Sequence, residues 1–157
     1  MLKENQKVSL IIFDINNHLS YLEKWMLNSE LMEGWGGRPM AKDKVLELVR
    51  EPNSLFLMIY TIDVPEPIGF VCFYSVNLNK KIASRGTMID HKFQGNGYGK
   101  VAIKASNKYI RKHLGIERIE LWVKDGNDRS LHITKSLGYK YDYFDKKHNI
   151  HYFYMNI

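Results

Sequence analysis

The stretch that decides the fold spans residues 94–100 and reads Gln94-Gly95-Asn96-Gly97-Tyr98-Gly99-Lys100. The apolar pair Met88-Ile89 precedes it, and a long amphipathic segment that ends at Gly115 follows it. Alternate glycines between a strand and a helix let backbone N–H groups approach an anion at the positive end of the helix dipole. A pyrophosphate is the ligand that this arrangement favours.

Length and composition restrict the class of protein. A chain of 157 residues with 45% hydrophobic and 25% charged residues is typical of one globular domain with a single core. No apolar run is long enough for a transmembrane helix, and residues 1–6 contain no signal-peptide h-region. The single cysteine, Cys72, excludes a disulfide framework and a multi-cysteine metal site. We therefore expect a cytoplasmic protein with no metal and no membrane partner.

The net charge of +6 suits either nucleic acid or a polyphosphate ligand. Basic residues are spread along the chain, and no nucleic-acid recognition motif accompanies them, so we expect no nucleic-acid partner. The densest basic group falls on one predicted helix and comprises Lys100, Lys104, Lys108, Arg111 and Lys112.

The first two thirds of the chain predict helices on either side of a loop, followed by a β-meander. The pattern predicts a strand over 8–15, a helix over 18–28 capped by Asn16-Asn17, and a second helix over 41–50. Glycines and a proline interrupt the helical pattern between these two helices, which predicts a loop. Three apolar runs with short turns, at 55–62, 68–76 and 82–89, predict an antiparallel meander.

The last third predicts a change to parallel pairing. The helix over 98–114 connects the strand at 82–89 to a strand at 118–123, and such a βαβ unit makes the two strands parallel. Asn127 or Asp128 caps a short helix that Gly138 ends, and a hairpin of 139–144 with 151–157 closes the chain. The sequence predicts one α+β domain over 1–157, with a mixed, mostly antiparallel sheet of six to seven strands and about four helices.

The glycine-rich stretch lacks the Lys-Ser/Thr of a Walker loop and the spacing of a dinucleotide fingerprint. It does match a Gln/Arg-x-x-Gly-x-Gly/Ala motif. A second segment, Asn127-Asp128-Arg129-Ser130 with Lys135-Ser136-Leu137-Gly138-Tyr139, matches Asn-x-x-Ser/Ala followed by Lys-x-Leu-Gly-Phe/Tyr. With both motifs at the right distance, the chain resembles the GNAT superfamily of acetyl-CoA-dependent N-acetyltransferases over residues 67–139.

This resemblance implies how acetyl-CoA binds. The parallel strands ending at Ile89 and near Lys124 splay apart, and the pantetheine arm pairs with the first of them. The Met88 N–H faces the thioester carbonyl, Asn127 bonds the pantetheine amide, and Lys135 or Lys104 meets the 3′-phosphate. The implied cofactor-binding residues are Thr87, Met88, Ile89, Gln94, Gly95, Asn96, Gly97, Tyr98, Gly99, Lys100, Asn127 and Lys135.

The acid–base residues common in the family are replaced in this chain. Ser84, Trp122 and Thr134 occupy the positions where relatives carry a Glu, a second Glu and a Tyr. Some relatives use the Ser of the Asn-x-x-Ser segment, here Ser130, although such a hydroxyl also commonly bonds its own backbone. The predicted catalytic residues are therefore Met88, as oxyanion donor, Ser130 and Thr134. Further candidate proton acceptors are Glu120, His132 and His113.

The acceptor is less constrained by the sequence. Residues 28–37 resemble the same region of aminoglycoside 6′-N-acetyltransferases, whereas the Asn-x-x-Ser helix resembles the ribosomal-protein N-acetyltransferase type. Glu33, Trp35 and Trp122 are the predicted acceptor-binding residues, and Glu30 and Asp142 could add to an acidic rim.

Three functions remain open at this point. The first is acetyl transfer to a primary amine of a small molecule. The second is the same reaction on the N-terminus or a side chain of a protein or peptide. The third is an acyl-CoA-binding sensor domain without turnover. The expected partners are acetyl-CoA and an amine acceptor, and pairing of two chains through the late strands would give a homodimer.

Overall fold

The computed structural model describes residues 8–35 and 37–157. Residues 1–7, which include the N-terminal segment without an h-region, and Gly36 of the predicted loop lie outside this part. The strands are β1 (Val8–Ile12), β2 (Leu55–Thr61), β3 (Gly69–Asn77), β4 (Ile82–Ile89), β5 (Arg118–Lys124), β6 (Lys140–Asp145) and β7 (Ile150–Asn156). The helices are α1 (Ile15–Leu27), α2 (Ser29–Gly34), α3 (Lys42–Val49), α4 (Tyr98–Leu114) and α5 (Asp128–Ser136), and His91–Phe93 form a 3₁₀ turn.

The seven strands form one sheet in the order β1-β2-β3-β4-β5-β7-β6. Strands β2, β3 and β4 pair antiparallel as consecutive neighbours, which confirms the predicted meander. Strand β4 pairs parallel with β5 after the α4 crossover, which confirms the predicted βαβ unit. The α+β class and the mixed, mostly antiparallel sheet are confirmed, and residues 8–35 and 37–157 contain seven strands and five α-helices rather than about four.

The additional helix is α2, in the stretch where glycines predicted a loop. The Asn28 side-chain oxygen accepts hydrogen bonds of 3.1 Å from the backbone N–H groups of Glu30 and Leu31, which caps this helix. Leu31 and Met32 bury themselves against the core. The cap residue and two apolar residues therefore outweigh the glycines that follow, and the predicted loop is wrong at this point.

The predicted cap of α1 is also displaced. The Asp14 carboxylate, not Asn16 or Asn17, caps the helix by accepting a 3.0 Å hydrogen bond from the Asn16 N–H. The Asp14 N–H donates to His18 Nδ1 at 2.8 Å, and the buried His18 ring also contacts the Tyr60 hydroxyl at 2.9 Å. Strand β1 therefore ends at Ile12, three residues earlier than its pattern predicted.

Two hydrophobic clusters cover the two faces of the sheet. Because side chains alternate along a strand, Val71 and Phe73 of β3 join the cluster that contains residues of α4, whereas Phe70 and Cys72 join the cluster with α1, α2 and α3. The same alternation places Ala83 and Met88 of β4 in different clusters. Helices α4 and α5 thus lie on the face opposite to α1–α3.

Within the described part of the chain, none of the helices combines the length and the apolar character needed to cross a bilayer.

Replacing Gly69 tests the close contact between β3 and β4. A Cβ atom at Gly69 would lie 2.1 Å from the Met88 carbonyl oxygen, which belongs to the backbone and cannot swing away. We expect Gly69→Ala to lower the free energy of unfolding by about 1–3 kcal/mol, as measured by urea denaturation. Gly34→Ala is the control, because a Cβ there meets nothing within 4 Å. Equal stability of the two variants would contradict this packing.

Candidate active site

The site begins where the parallel pairing of β4 with β5 stops. Only three registered pairs join these strands, Ile82 with Arg118, Ala83 with Ile119 and Ser84 with Glu120. Beyond Ser84, β4 continues to Ile89 with no partner on this side among the described residues, while β5 continues to Lys124. The backbone groups along this edge of β4 are therefore available to a ligand that lies in the gap as an additional strand.

The register of β4 decides which of its amides face the gap. The Asp90 N–H donates to the Ile68 carbonyl at 2.8 Å, on the β3 side, whereas the Ile89 carbonyl accepts a 2.8 Å bond from Gln94 Nε2. Both backbone groups of one residue in an antiparallel pair point to the same neighbour, and the direction alternates along the strand. The N–H groups of Thr87 and Ile89 therefore face the gap, and that of Met88 points toward β3.

The predicted use of the Met88 N–H as oxyanion donor is thus wrong by one residue. The cause is the phase of the backbone, which depends on the pairing of Phe70 with Met88 and of Val71 with Thr87. The amides on either side of Met88, those of Thr87 and Ile89, face the gap instead. The Thr87 hydroxyl is buried and has no hydrogen-bond partner, so it is a second polar group available to a ligand.

A cavity of about 1120 Å³ occupies the gap and extends to both faces of the sheet. On one side it reaches the glycine-rich turn and helix α5, and on the other it lies beneath α2 and the end of α3. The predicted cofactor residues that line it are Thr87, Met88, Ile89, Gln94, Gly95, Gly97, Tyr98, Gly99, Lys100 and Asn127. The cavity thus brings together two motifs that lie about thirty residues apart in the sequence.

The glycine-rich turn presents the free end of helix α4. Gly95 and Gly97 both have φ of 79°, a left-handed conformation that favours glycine, and no side chain caps the helix at Gly97. The first amides of α4 therefore keep their hydrogen-bonding capacity for an anion. Asn96 does not line the cavity, because its amide nitrogen bonds the carbonyls of Phe93 and Gln94 at 3.3 and 3.4 Å.

Gln94 connects the two sides of the gap. Its amide nitrogen donates to the Ile89 carbonyl, and its oxygen accepts a 2.5 Å bond from Arg129 Nη1. Because Ile89 ends β4 and Arg129 lies in the first turn of α5, this single side chain holds the strand end against the helix. The family motif therefore contributes a structural contact at this position, in addition to the ligand contact that the sequence predicted.

The Asn127 side chain already bonds within the protein. Its oxygen accepts from the Ser130 N–H at 3.3 Å, which caps α5, and its nitrogen donates to the Gly34 carbonyl at 2.9 Å. A bond to the pantetheine amide therefore requires exchange of one of these partners. Ser130 lines the cavity, and Thr134 lines it as a buried side chain, whereas Lys135 is exposed and outside the lining.

The side of the cavity beneath α2 is aromatic. The Trp35 ring covers Gly86, where an added Cβ would lie 3.0 Å from it, and packs edge-to-face on Phe70 at 5.8 Å between centroids. Trp122 and Tyr74 also line this region, and burial raises the pKa of Tyr74 to about 12, so its phenol stays neutral. The predicted Trp35 and Trp122 therefore share one cavity.

Of the three acidic residues that the sequence suggested for this region, Glu30 alone lines the cavity. Glu33 is exposed and does not line the cavity, and Asp142 lies 3.7 Å from Arg118 Nη2 instead. Glu30 and Glu51 do line it, and Glu30 Oε2 is 3.3 Å from His91 Nε2. Glu51 was not predicted, because only the fold brings the end of α3 to this side of the cavity.

The three candidate proton acceptors also differ in whether they line the cavity. Glu120 accepts a 3.0 Å bond from Arg118 Nε, and the His113 ring packs on Tyr109, with 4.4 Å between centroids. Only His132 of the three lines the cavity.

Comparison with known proteins identifies the family. A sequence profile of the acetyltransferase (GNAT) family matches residues 20–139, which is most of the chain. The protein belongs to the GNAT acetyltransferase family. The predicted N-acetyltransferase class is confirmed, and acetyl-CoA is the donor that this family uses. Whether the chain belongs to the ribosomal-protein or the aminoglycoside branch stays a prediction.

Solved structures share the fold of this acetyltransferase. A spermidine N-acetyltransferase from Vibrio cholerae, in complex with CoA and spermine, superposes with a TM-score of 0.82 at 17% identity, over 95% of each chain. A domain from Methanocaldococcus jannaschii gives a TM-score of 0.83 at 18% identity, over 98% of this chain and 100% of that one. A dodecameric form of the Vibrio cholerae enzyme gives 0.74 at 16% identity, over 95% and 93%.

The two ends of α4 provide a matched test of the anion site. Gly97 and Gly115 both have left-handed φ, of 79° and 67°, but only Gly97 lines the cavity. Alanine at either position costs about 1–2 kcal/mol in backbone strain. We expect Gly97→Ala to weaken CoA binding about tenfold and Gly115→Ala to lower only the melting temperature. Calorimetric titration with CoA measures this, and equal affinities would remove Gly97 from the site.

Proposed function

We propose that this acetyltransferase, as one acyl-CoA N-acyltransferase domain over 1–157, transfers the acetyl group of acetyl-CoA to a primary amine of a small molecule. The observation that carries the proposal is the part of the cavity beneath α2, where Trp35, Phe56 and Tyr74 combine with Glu51. Aromatic faces and a carboxylate stabilise a cationic amine. A pocket between a helix and the sheet suits a compact molecule better than an extended peptide.

The donor half of the cavity has the groups that acetyl-CoA requires. The amides that face the gap on β4 can pair with the pantetheine arm, and the free first turn of α4 can bind the pyrophosphate. Lys100, Lys124 and Arg129 line the same half and supply positive charge for the phosphates. When bound, acetyl-CoA supplies an activated acyl group, so the protein has chiefly to position the acceptor and stabilise developing charge.

The residues of the chain then have separate roles. The Thr87 N–H donates to the thioester oxygen as negative charge develops there, and a fixed donor of this kind is worth about 3–4 kcal/mol elsewhere. The acceptor nitrogen approaches from the Trp35 side, where the aromatic rings exclude water. Ser130 and His132 line the cavity on α5 and pass the proton of the amine to solvent.

The structural relatives support this choice of acceptor. The Vibrio cholerae enzyme was solved with CoA and spermine, and spermine carries primary amines. A polyamine-like compound is therefore a first candidate for the acceptor.

The Vibrio cholerae enzyme also forms a dodecamer, so we propose self-association of this chain too, with the exposed Tyr141 and Tyr143 of edge strand β6 as contact residues.

A thiol-release assay with acetyl-CoA tests the function. The panel consists of a polyamine, an aminoglycoside, a peptide with a free N-terminus and a peptide with an internal lysine. We expect turnover with at least one small amine and much slower turnover with both peptides. Preference for a peptide would favour protein acetylation instead. Tight CoA binding without turnover on any amine would favour a sensor domain.

The role of Ser130 can be separated from the stability of its helix. Ser130 lines the cavity, whereas Ser136 on the same helix is exposed and bonds the Ile133 carbonyl at 2.8 Å. We expect Ser130→Ala to lower kcat about 100-fold and to leave the affinity for CoA unchanged, because a proton relay acts only in the reaction. Ser136→Ala is the control and should retain full activity. An unaffected rate in Ser130→Ala would exclude the relay.

A further inference from the structure

Arg85 is the one lysine, arginine, aspartate or glutamate that is buried within residues 8–35 and 37–157, with 7% of its surface exposed. It lies on β4 one residue beyond Ser84, the last residue of that strand paired with β5. Its position is therefore the narrow end of the gap, and it lines the cavity there. A buried cation at this point requires an explanation, because buried charges in proteins are almost always paired.

The contacts of Arg85 do not neutralise it. Nη1 donates to the Tyr139 hydroxyl, and the guanidinium lies over the Tyr139 ring, 4.8 Å from its centroid. No carboxylate within the described part of the chain forms an ion pair with it, and Nε is buried without any partner. Burial lowers the pKa of Arg85, but arginine ionises at so high a pH that the side chain stays charged. Residues 8–35 and 37–157 by themselves therefore leave this charge uncompensated.

Arg85 faces one particular side of the sheet, and this side indicates which negative group compensates its charge. Arg85 and Thr87 are opposite Phe73 and Val71 on β3, and these belong to the cluster that contains residues of α4. Gly86, between them, faces the opposite side, where Trp35 covers it. An amine that arrives from the Trp35 side forms its new bond on one face of the gap. The group that leaves departs toward the other face.

We propose that Arg85 is a catalytic residue that binds the sulfur of CoA as the thioester breaks, and this assignment rests on the proposed function. The amine nitrogen forms the C–N bond with its lone pair, and the C–S bond breaks with its electron pair passing to sulfur. The guanidinium stabilises the resulting thiolate. The amine loses its proton through Ser130 and His132 to solvent, and the thiolate takes a proton from water on release. Relatives carry a Tyr at the position of Thr134, which protonates the leaving sulfur. In this chain the charge of Arg85 stabilises the sulfur instead.

The other titratable groups around Arg85 do not compete for this role. Tyr139, Cys72 and Tyr74 are the groups that interact with its charge. Burial raises the pKa of Cys72 and of Tyr74 to about 12, so both are neutral at neutral and mildly alkaline pH. His132 and Lys100 line the cavity from α5 and α4, so the experiment needs a control that removes their contribution to the binding of CoA.

The experiment compares the binding of CoA with that of S-methyl-CoA over a pH series, by calorimetric titration. Only CoA has an ionisable thiol, so the ratio of the two affinities isolates the effect of the thiol from that of His132 and Lys100, which meet both ligands. In the wild-type protein we expect this ratio to rise about tenfold as pH increases toward 8.5, the ordinary pKa of a thiol. In Arg85→Met the ratio should stay constant. In the same variant kcat should fall about 100-fold, with an almost unchanged KM for acetyl-CoA.

Two further variants distinguish the effect of the charge of Arg85 from the effect of its packing contacts. Tyr139→Phe removes the hydroxyl that holds Nη1 but leaves the cation and the ring, so the pH-dependent ratio should persist. Arg85→Lys keeps the charge and should retain most of the ratio. Replacing a buried charge by an apolar residue of similar size is often neutral or stabilising, so Arg85→Met should fold, and its melting temperature verifies this.

The outcomes decide the proposal without reference to turnover. A constant ratio in the wild-type protein, or the same rise in Arg85→Met as in wild type, would overturn the sulfur assignment. Absence of turnover on every amine would overturn the proposed acceptor and leave the binding ratio as a valid measurement of Arg85. If Arg85→Met does not fold, a flat ratio in Arg85→Lys would overturn the assignment, and a retained rise would support it.

Discussion

The site depends on one interruption of backbone pairing, the end of the β4–β5 ladder after Ser84 and Glu120. Both strands remain fixed beyond that point because each is paired on its other side. Strand β3 holds β4 through the pairing of Gly69 with Ile89, and β7 holds β5 through the pairing of Lys124 with Ile150. The gap is therefore a rigid slot, and its unpaired amides cost no reorganisation when a ligand pairs with them.

The sequence predicted those parts of the site that short-range patterns determine. The glycines at 95 and 97, the βαβ crossover and the Asn127 cap follow from local conformational preferences. That the Thr87 amide faces the gap and the Met88 amide does not could not be predicted, because backbone phase depends on the partner strand. Arg85 was also missed, since its contact Tyr139 lies 54 residues away, and so was the bond of Asn127 to Gly34, 93 residues away. No periodicity encodes such pairs.

The net charge of +6 is distributed unevenly across the cavity. Lys100, Lys124 and Arg129 line the half near the glycine-rich turn, whereas two carboxylates, Glu30 and Glu51, outnumber the one cation, Arg38, in the half beneath α2. A basic chain can therefore present an acidic surface to its acceptor, because the local arrangement and not the total charge sets the potential in a pocket. The polyphosphate and the amine of the proposed reaction would each meet side chains of opposite charge.

The packing of Cys72 has a practical consequence for work with this protein. It is the single cysteine of the chain, it is 2% exposed, and burial keeps its thiol protonated. Alkylating and disulfide-forming reagents react with thiolates, so the folded protein should resist them and survive oxidising storage without a reductant. A chromogenic disulfide can therefore count free CoA without background from the enzyme, and the appearance of one reactive thiol per chain would signal unfolding.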